Sequence, residues 1–283
     1  MKSDYQLIDC GNFEKLEKVG PYIIRRPAPG ATWRPRLPHK QWIQDADATF
    51  TRNSSGNGKW SFKNRLPEEW AIQCGNIHLL IRPTGFGHLG LFAEQEMNWV
   101  KIQNEILTRK SSLNEPFRFL NLFAYTGGAS LAAALAGAEV VHLDASKTSN
   151  QWARDNAKIS GLDNAPIRWI TEDVVKFVEK ELRRGRTYHG INLDPPSFGR
   201  GEKNQLWKIE DHLTDLLDQL KQLMSPNGCF VILSSHSPGY TPISLKNLLM
   251  DVGNADSQYE CEEMIITDES QRNLPSGAVC WLK

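Results

Sequence analysis

Beyond residue 117, apolar β-like segments alternate with segments of helical spacing, and this alternation restricts the fold more than any other feature of the 283-residue chain. The predicted strands are residues 118–122, 139–143, 167–170, 188–193 and 228–234. The predicted helices are residues 129–136, 149–160, 174–184 and 209–223, with an earlier one over residues 94–107. Strands that alternate with helices in this way are typical of a parallel, doubly wound sheet. We therefore predict an α/β fold.

The C-terminal residues depart from this alternation. After a predicted helix over residues 242–252, two β-like runs at residues 259–266 and 278–282 follow without a helix between them. Consecutive strands joined by a short loop can pair antiparallel. We expect an antiparallel hairpin at the edge of the sheet, which a plain dinucleotide-binding fold does not have.

The first 90 residues have a different texture, with short β-like runs and many Pro, Gly and Trp residues. Runs at residues 22–24, 70–73 and 77–82 predict a small antiparallel β domain. The polar stretch over residues 51–59 predicts a mobile hairpin tip or loop. We expect two domains, residues 1–90 and residues 91–283.

The formal net charge of zero conceals two parts of opposite charge. Residues 1–90 contain 13 Lys and Arg against 8 Asp and Glu, a net charge of +5, and residues 91–283 contain 20 against 25, a net charge of −5. Basic residues interleaved with aromatic residues suit a phosphate backbone and stacked bases. The residues of this kind are Arg25, Arg26, Trp33, Arg34, Arg36, Lys40 and Trp42. A solvated β surface with structural tryptophans explains the same pattern equally well.

The five cysteines are widely scattered, with no C-x-x-C pair and no His at zinc-ligand spacing. We expect reduced thiols, no metal site and a cytoplasmic protein. The first residues contain no apolar signal-peptide core, and no stretch approaches the ~18 apolar residues of a transmembrane helix. Neither secretion nor membrane insertion is indicated.

Ligands of open α/β sheets bind beyond the carboxyl ends of the strands. The loop after the first predicted strand contains Gly127 and Gly128, which would let a ligand approach the backbone in front of a helix. The second strand ends at Asp144, 17 residues beyond Gly127, where a carboxylate could accept hydrogen bonds from a ribose diol. An ordinary tight turn explains the glycines as well, and a helix N-cap or a solvated loop explains the acid.

The next two loops also end in acids. Asp173 follows the third strand, where it could accept a bond from an adenine amino group or could cap the helix starting at Val174. The fourth strand ends in a stiff turn that presents acceptors in fixed directions and an aromatic face for a planar base. Its residues are Asp194, Pro195, Pro196, Ser197 and Phe198. The alternative is a stop signal after a buried strand, with Phe198 in the core.

Taken in order, these motifs resemble those of the class I S-adenosylmethionine-dependent methyltransferases. They are most similar to the bacterial branch of 23S ribosomal RNA large-subunit methyltransferases, whose fourth-strand motif is Asp-Pro-Pro-x-Phe. The similarity covers residues 85–240 and includes an upstream segment at residues 90–95. The resemblance implies a Rossmann-like, mostly parallel seven-stranded sheet with a reversed strand at its edge, and S-adenosylmethionine as cofactor.

The resemblance also implies roles for single residues. It assigns the cofactor to Gln95, Ala124, Tyr125, Thr126, Gly127, Asp144, Ala145, Ser146, Glu172, Asp173 and Asp194. Among these, residues 124–127 with Gln95 would hold the methionine part, Asp144 the ribose and Asp173 the adenine. It assigns the transfer site to Asp194, Pro195, Pro196 and Phe198.

One departure from the family concerns the target atom. Methylation of cytosine C5 requires a Cys nucleophile, and relatives with that chemistry carry it in the Asp-Pro-Pro loop or just after the fifth strand. Here Ser235 or His236 stands at the second place, and Cys229 lies about 20 Å away at ~3.3 Å per residue. The sequence favours a nitrogen target over cytosine C5. His236 is either a general base that contacts the substrate or a structural histidine.

The leading hypothesis is therefore a methyltransferase that modifies a base of ribosomal or other structured RNA. It predicts an RNA partner held by Arg25, Arg26, Trp33, Arg34, Arg36 and His236. One alternative is a non-catalytic RNA-binding or assembly factor with the same fold. Another is a nicotinamide-dependent oxidoreductase, which the missing G-x-G-x-x-G motif disfavours.

Overall fold

The computed structural model describes residues 3–52, 58–200 and 206–283. Two compact units make up the chain. Unit 1 consists of Met1–Glu96 and Ile265–Ser276, and unit 2 consists of Met97–Met264 and Gly277–Lys283. The predicted domain limits of residues 1–90 and 91–283, and the roles given to the two parts, stay predictions.

Unit 1 is built on a five-stranded sheet in the order β1-β2-β3-β4-β5. These strands are β1 Tyr5–Gly11, β2 Glu14–Val19, β3 Tyr22–Pro27, β4 Ala48–Arg52 and β5 Gly58–Phe62. Helix α1, His39–Asp45, separates β3 from β4, and this strand pair is parallel whereas the others are antiparallel. Strands β6 Trp70–Cys74 and β7 Ile77–Ile81 form a separate hairpin. Most of the tip predicted over residues 51–59, residues 53–57, lies outside the described residues.

The core of unit 1 joins residues from distant parts of the chain. Leu7 and Ala31 pack with Leu274 in one buried cluster. The buried carboxylate of Asp9 accepts a bond of 2.6 Å from Arg272 Nη2, and it also accepts one of 3.1 Å from Trp42 Nε1. Because a buried charge is stable only when paired and hydrogen-bonded, Asp9 and Arg272 fix residues 265–276 as a part of this unit.

Unit 2 contains the predicted α/β sheet, in the strand order β10-β9-β8-β11-β14-β16-β15. The strands of this sheet are β8 Arg118–Leu122, β9 Glu139–Asp144, β10 Ile167–Thr171, β11 Gly190–Leu193, β14 Phe230–Ser235, β15 Tyr259–Thr267 and β16 Asn273–Leu282. A short hairpin is formed by β12 Phe198–Arg200 and β13 Leu206–Lys208. The first five sheet strands pair parallel, and β16 runs antiparallel to β14. The predicted mostly parallel seven-stranded sheet is confirmed.

Helices cover both faces of this sheet. They are α2 Glu96–Lys110, α3 Gly128–Leu135, α4 Lys147–Ile159, α5 Val174–Arg183, α6 Ile209–Lys221 and α7 Pro242–Met250. Side chains alternate along a strand, so Phe119 packs on one side with Ile102 of α2, whereas Leu120 packs on the other with Leu217 of α6. Two cores thus enclose the central strands. No helix in the described ranges is both long and apolar enough to cross a membrane.

The expectation that all five cysteines are reduced is wrong for two of them. Cys261 of β15 and Cys280 of β16 form a disulfide, with a Cα–Cα distance of 4.0 Å. Neighbouring strands place opposed side chains side by side, a proximity that linear spacing does not reveal. Cys10, Cys74 and Cys229 are free and buried.

Candidate functional site

The candidate site of unit 2 lies on the loops at the carboxyl ends of the five parallel strands. The strand order changes direction between β8 and β11, where Asn121 and Asn192 are neighbours in register. An open α/β sheet has its ligand crevice at such a point. The predicted residues of unit 2 that lie on these loops are Ala124, Tyr125, Thr126, Gly127, Asp144, Ala145, Ser146, Glu172, Asp173, Asp194, Pro195, Pro196, Phe198 and His236.

The loop after β8 has an unusual backbone. Phe123 and Tyr125 adopt φ angles of 55° and 49°, and Gly127 adopts 93°. A non-glycine residue in the left-handed region costs about 1–3 kcal/mol and persists where its surroundings fix it. Here the buried Asn156 donates a bond of 2.9 Å from Nδ2 to the Thr126 carbonyl. Strained backbones of this kind cluster at binding sites, and the ligand contact at this loop stays a prediction.

Both glycines of the loop allow close packing. A Cβ on Gly128 would lie 2.3 Å from Cζ2 of Trp99, and a Cβ on Gly127 would lie 3.1 Å from that of Ala153. Gly127 is the N-cap of α3, and Gly128 is its first residue. The loop therefore presents backbone N–H groups of a helix start beside the crevice.

Asp144 joins the loops after β8 and β9. Its Oδ2 accepts a bond of 2.8 Å from Tyr125 N, and its Oδ1 accepts one of 2.8 Å from Ser146 N. Burial raises the pKa of this carboxyl, and the two N–H bonds offset part of that effect. The N-cap of α4 is Ser146, which accepts from Ser149 N at 3.1 Å. Asp144 is thus not the cap, and each of its oxygens keeps a lone pair for another donor.

Asn150, which sequence reasoning missed, joins the loops after β9 and β10. Its Nδ2 donates to the Asp144 carbonyl at 2.9 Å and to Thr171 Oγ1 at 3.0 Å. Its side chain is 4% exposed, and its Oδ1 has no hydrogen-bond partner within the described part of the chain. An amide on the buried face of α4 is the signal that could have identified it, as it could have identified Asn156.

The acids after β10 have structural partners. Asp173 is the N-cap of α5, with Oδ1 accepting a bond of 3.1 Å from Lys176 N. Glu172 pairs with Lys180. The capping alternative for Asp173 is therefore observed. A cap occupies one carboxylate oxygen, so a further role toward adenine stays a prediction.

The turn after β11 is held from two sides. The Pro196 carbonyl accepts a bond of 2.8 Å from Trp207 Nε1, and Ser197 Oγ lies 2.6 Å from Ser237 Oγ. Pro195 is buried, whereas Phe198 opens β12 with 53% of its surface exposed. Phe198 is therefore not a core residue.

Asp194 and His236 bring the turns after β11 and β14 together. Asp194 Oδ1 lies 3.5 Å from His236 Nδ1, and the two side chains are 23% and 34% exposed. A carboxylate and an imidazole therefore lie side by side at the predicted transfer site. Trp207 adds a link to the loop after β8, since its ring centroid lies 4.7 Å from that of Phe123.

A chain of buried polar side chains runs through the sheet beneath the crevice. Asn192 Nδ2 donates to Asn121 Oδ1 at 2.8 Å, Asn121 Nδ2 donates to Ser130 Oγ at 2.8 Å, and Ser130 Oγ lies 2.9 Å from His142 Nδ1. Burial, with a smaller effect of Arg154, lowers the pKa of His142 to about 3. The imidazole is therefore neutral near pH 7. Sequence reasoning missed this chain as well.

The predicted basic cluster of unit 1 has mostly internal partners. Arg25 pairs with Glu14 at 2.6 Å, and Arg26 pairs with buried Glu17 while donating to the Gly87 carbonyl at 2.8 Å. Burial would raise the pKa of Glu17, but its cationic partners outweigh it and hold that pKa at about 2.

The remaining predicted residues of unit 1 differ in exposure. Trp33 donates from Nε1 to the Cys10 carbonyl at 2.9 Å and is half-buried, whereas Arg34 and Arg36 are exposed. Gln95 lies in the short 3-10 helix Ala93–Gln95. In the described ranges, no three or more His, Cys, Asp and Glu side chains are arranged to hold a metal ion.

The chain is similar to known proteins over this region. The family model described as S-adenosylmethionine-dependent methyltransferase matches residues 86–251. The crystal structure of a SAM-dependent methyltransferase from Agrobacterium tumefaciens has 39% sequence identity and a TM-score of 0.92, covering 100% of this chain and 91% of that one. A putative methyltransferase solved with SAH has a TM-score of 0.76 at 19% identity, covering 99% and 75% of the two chains.

Curated relatives are longer proteins. A ribosomal RNA large subunit methyltransferase K/L from Pseudoalteromonas translucida is 36% identical over 125 residues, which is 44% of this chain and 17% of the relative. The chain spans less than a third of the length of such relatives.

Proposed function

Because the chain belongs to the S-adenosylmethionine-dependent methyltransferase family, we propose that it methylates a nitrogen atom of a base in ribosomal or other structured RNA. The observation that carries this proposal is the contact of 3.5 Å between Asp194 and His236, together with the exposed Phe198, four residues after Asp194. These groups provide a proton acceptor and a stacking face at the predicted transfer site.

The residues present fit the cofactor. The left-handed Gly127 caps the start of α3, where the first backbone N–H groups of a helix have no partner within the helix, and each Asp144 oxygen keeps a lone pair for another donor. We assign the methionine part to residues 124–127, the ribose to Asp144 with Ala145 and Ser146, and the adenine to Glu172 and Asp173. The role predicted for Gln95, which belongs to unit 1, stays a prediction. When bound, S-adenosylmethionine supplies a sulfonium methyl group.

The protein's own residues align the acceptor. Pro195 and Pro196 fix the turn that carries Asp194, since each ring fixes its φ angle, and Trp207 anchors the Pro196 carbonyl. The Asp194 carboxylate accepts a hydrogen bond from an amino or ring N–H and so directs the nitrogen lone pair toward the methyl group. His236, 3.5 Å from Asp194, accepts the proton from the nitrogen as the new N–C bond forms. Alignment supplies most of the rate enhancement, because an amine nitrogen needs no strong base.

The cysteine positions argue against cytosine C5 as the target. Cys229 precedes β14, at the strand end opposite His236, and burial raises its pKa to about 12. Cys261 and Cys280 are bonded to each other, and Cys10 and Cys74 belong to unit 1. A C5 methyltransferase needs a thiolate at the target ring, and no cysteine of the sequence stands in the turns after β11 or β14.

The RNA substrate is supported by the names of the curated relatives, which are ribosomal RNA large subunit methyltransferases. The net charge of +5 on residues 1–90 is consistent with a polyanionic partner. A family member with a transfer site of this kind is better explained as an enzyme than as a binding factor, and the oxidoreductase alternative is wrong because the family match is to methyltransferases.

Methyl transfer from tritiated S-adenosylmethionine tests the proposal. Ribosomal RNA from cells without the gene, incubated with the protein, should gain label, and mass spectrometry of its nucleosides should identify one N-methylated base. Asp194→Asn should abolish the gain. Label in protein or in a small molecule alone would overturn the RNA substrate, and 5-methylcytidine as the product would overturn the nitrogen target.

A further inference from the structure

The β4–β5 hairpin of unit 1 carries aromatic side chains on one face. Trp60 and Phe62 lie two residues apart on β5, and their rings stack with centroids 6.0 Å apart and planes at 18°. Phe62 is 51% exposed. Trp60 is held in place by a bond of 2.7 Å from its Nε1 to the Thr84 carbonyl. Trp60 thus anchors the pair, and Phe62 presents its ring to solvent.

A glycine-rich turn packs on the same hairpin. Phe50 of β4 lies opposite Trp60, with ring centroids 5.1 Å apart. A Cβ on Gly87 would lie 2.4 Å from the Phe50 ring, so the turn over residues 84–88 rests directly on it. Phe86, within this turn, is 78% exposed. A third aromatic ring is therefore presented to solvent beside the hairpin.

The segment that contains β4 and β5 is basic. Residues 48–65 contain four cationic side chains and neither Asp nor Glu. The cations are Arg52, Lys59, Lys63 and Arg65, all exposed. Arg25 and Arg26, by contrast, are paired with Glu14 and Glu17. A basic and aromatic surface therefore lies on β4 and β5, whereas the sequence pattern predicted one at residues 25–42.

We propose that the stacking surface, defined as Trp60, Phe62 and Phe86, binds unpaired bases of a single-stranded RNA segment while the surrounding cations contact its phosphates. Rigid aromatic rings stack on any base, and duplex bases are not available for such stacking. The cationic surroundings favour a polyanion over a protein partner. The inference rests on the proposed function, since it concerns how the RNA substrate is held.

Fluorescence anisotropy of the full chain with a fluorescein-labelled oligouridylate of about 12 nucleotides, within the usual size of such sites, tests this inference. Phe62→Ala and Phe86→Ala should each raise Kd about tenfold, the loss expected for one stacked base. Lys59→Gln should make the slope of log Kd against log salt shallower by the amount that corresponds to the loss of about one phosphate contact. Phe13→Ala is the matched control, since Phe13 is 58% exposed in unit 1 but precedes Glu14; it should bind as the wild type does.

Equal Kd values for the wild type and both Phe variants, with unchanged melting temperatures, would overturn the inference. So would tighter binding of a duplex of the same length, or a dimer that Phe62→Ala dissociates without a change in Kd. The proposed function is judged separately by label transfer to ribosomal RNA. A wild type that methylates RNA while both Phe variants bind and react normally would leave that function standing and refute only the stacking surface.

Discussion

His236 Nδ1 lies 3.5 Å from Asp194 Oδ1, although the two residues stand on loops that follow different strands. Parallel pairing of β11 with β14 brings these loops together, with Leu193 in register with Leu233. The bond between Ser197 and Ser237 holds the same two loops a few residues further on. The relative position of carboxylate and imidazole is therefore set by the sheet rather than by either loop alone.

His236→Asn should lower the rate of methyl transfer about a hundredfold, the lower range for removal of a positioned proton acceptor, and leave SAH affinity within about threefold of the wild-type value. Single-turnover transfer and calorimetry measure the two quantities. The exposed His39 of α1, changed to Asn, is the matched control. A full rate in His236→Asn would assign His236 a purely structural role.

Asp144→Asn should weaken SAH binding about tenfold to a hundredfold, because the amide replaces one acceptor oxygen by an NH2 donor and a charge-assisted bond contributes about 1.5–3 kcal/mol. The carboxylate accepts from both Tyr125 N and Ser146 N. Isothermal calorimetry gives Kd directly, and Asp163→Asn, at an exposed position after α4, is the control. Unchanged affinity would remove Asp144 from the cofactor site.

Gly128→Ala should lower the free energy of unfolding by about 1–3 kcal/mol, the usual cost of overpacking. The new methyl group would meet the Trp99 ring, since a Cβ there lies 2.3 Å from Cζ2. Urea unfolding measures the loss. Combining it with Trp99→Leu should recover part of the stability lost by Gly128→Ala, as expected for residues in contact. Strict additivity of the two changes would contradict the clash.

His142 should make stability depend on pH. Its pKa falls from 6.5 to about 3 on burial, so the unfolded chain binds the proton first as the pH decreases. This contribution to the free energy of unfolding is complete above pH 6.5 and decreases toward pH 3, by about 2 kcal/mol between pH 7 and pH 5.

The measurement is urea unfolding at both pH values for the wild type and His142→Gln. Between pH 7 and pH 5, the free energy of unfolding should fall by about 2 kcal/mol more in the wild type than in the variant. His39→Gln, at an exposed position, serves as the control. Equal losses in the wild type and His142→Gln would show that the imidazole is not kept neutral by the fold.

Much of the fold follows from local pattern. The predicted strand over residues 118–122 coincides with β8, and the helix predicted from residue 174 begins there because Asp173 caps it. The predicted strand over residues 188–193 begins too early, since β11 starts at Gly190. Tyr188 instead forms an isolated bridge with Met224. Local propensity locates an element, but tertiary partners decide where it ends.

The supports of the candidate site were harder to predict than its motifs. The turns that carry Asp144 and Asp194 are recognisable because they follow apolar strands directly. From within α4, Asn150 holds the turn at Asp144 and Asn156 holds the loop after β8 at Thr126, and nothing in their spacing shows which carbonyl each amide reaches. The Asp9–Arg272 pair spans 263 positions, and partners that distant are selected only by the complete topology.

The Asp9–Arg272 pair has a consequence for synthesis of the chain on the ribosome. Residues 265–276 complete the core and the buried charge pair of unit 1. During translation, Leu7 and Asp9 therefore lack these partners until residues 265–276 have emerged. A nascent chain halted after β14 should leave β1 open to protease, and a chain that includes residues 265–276 should protect it.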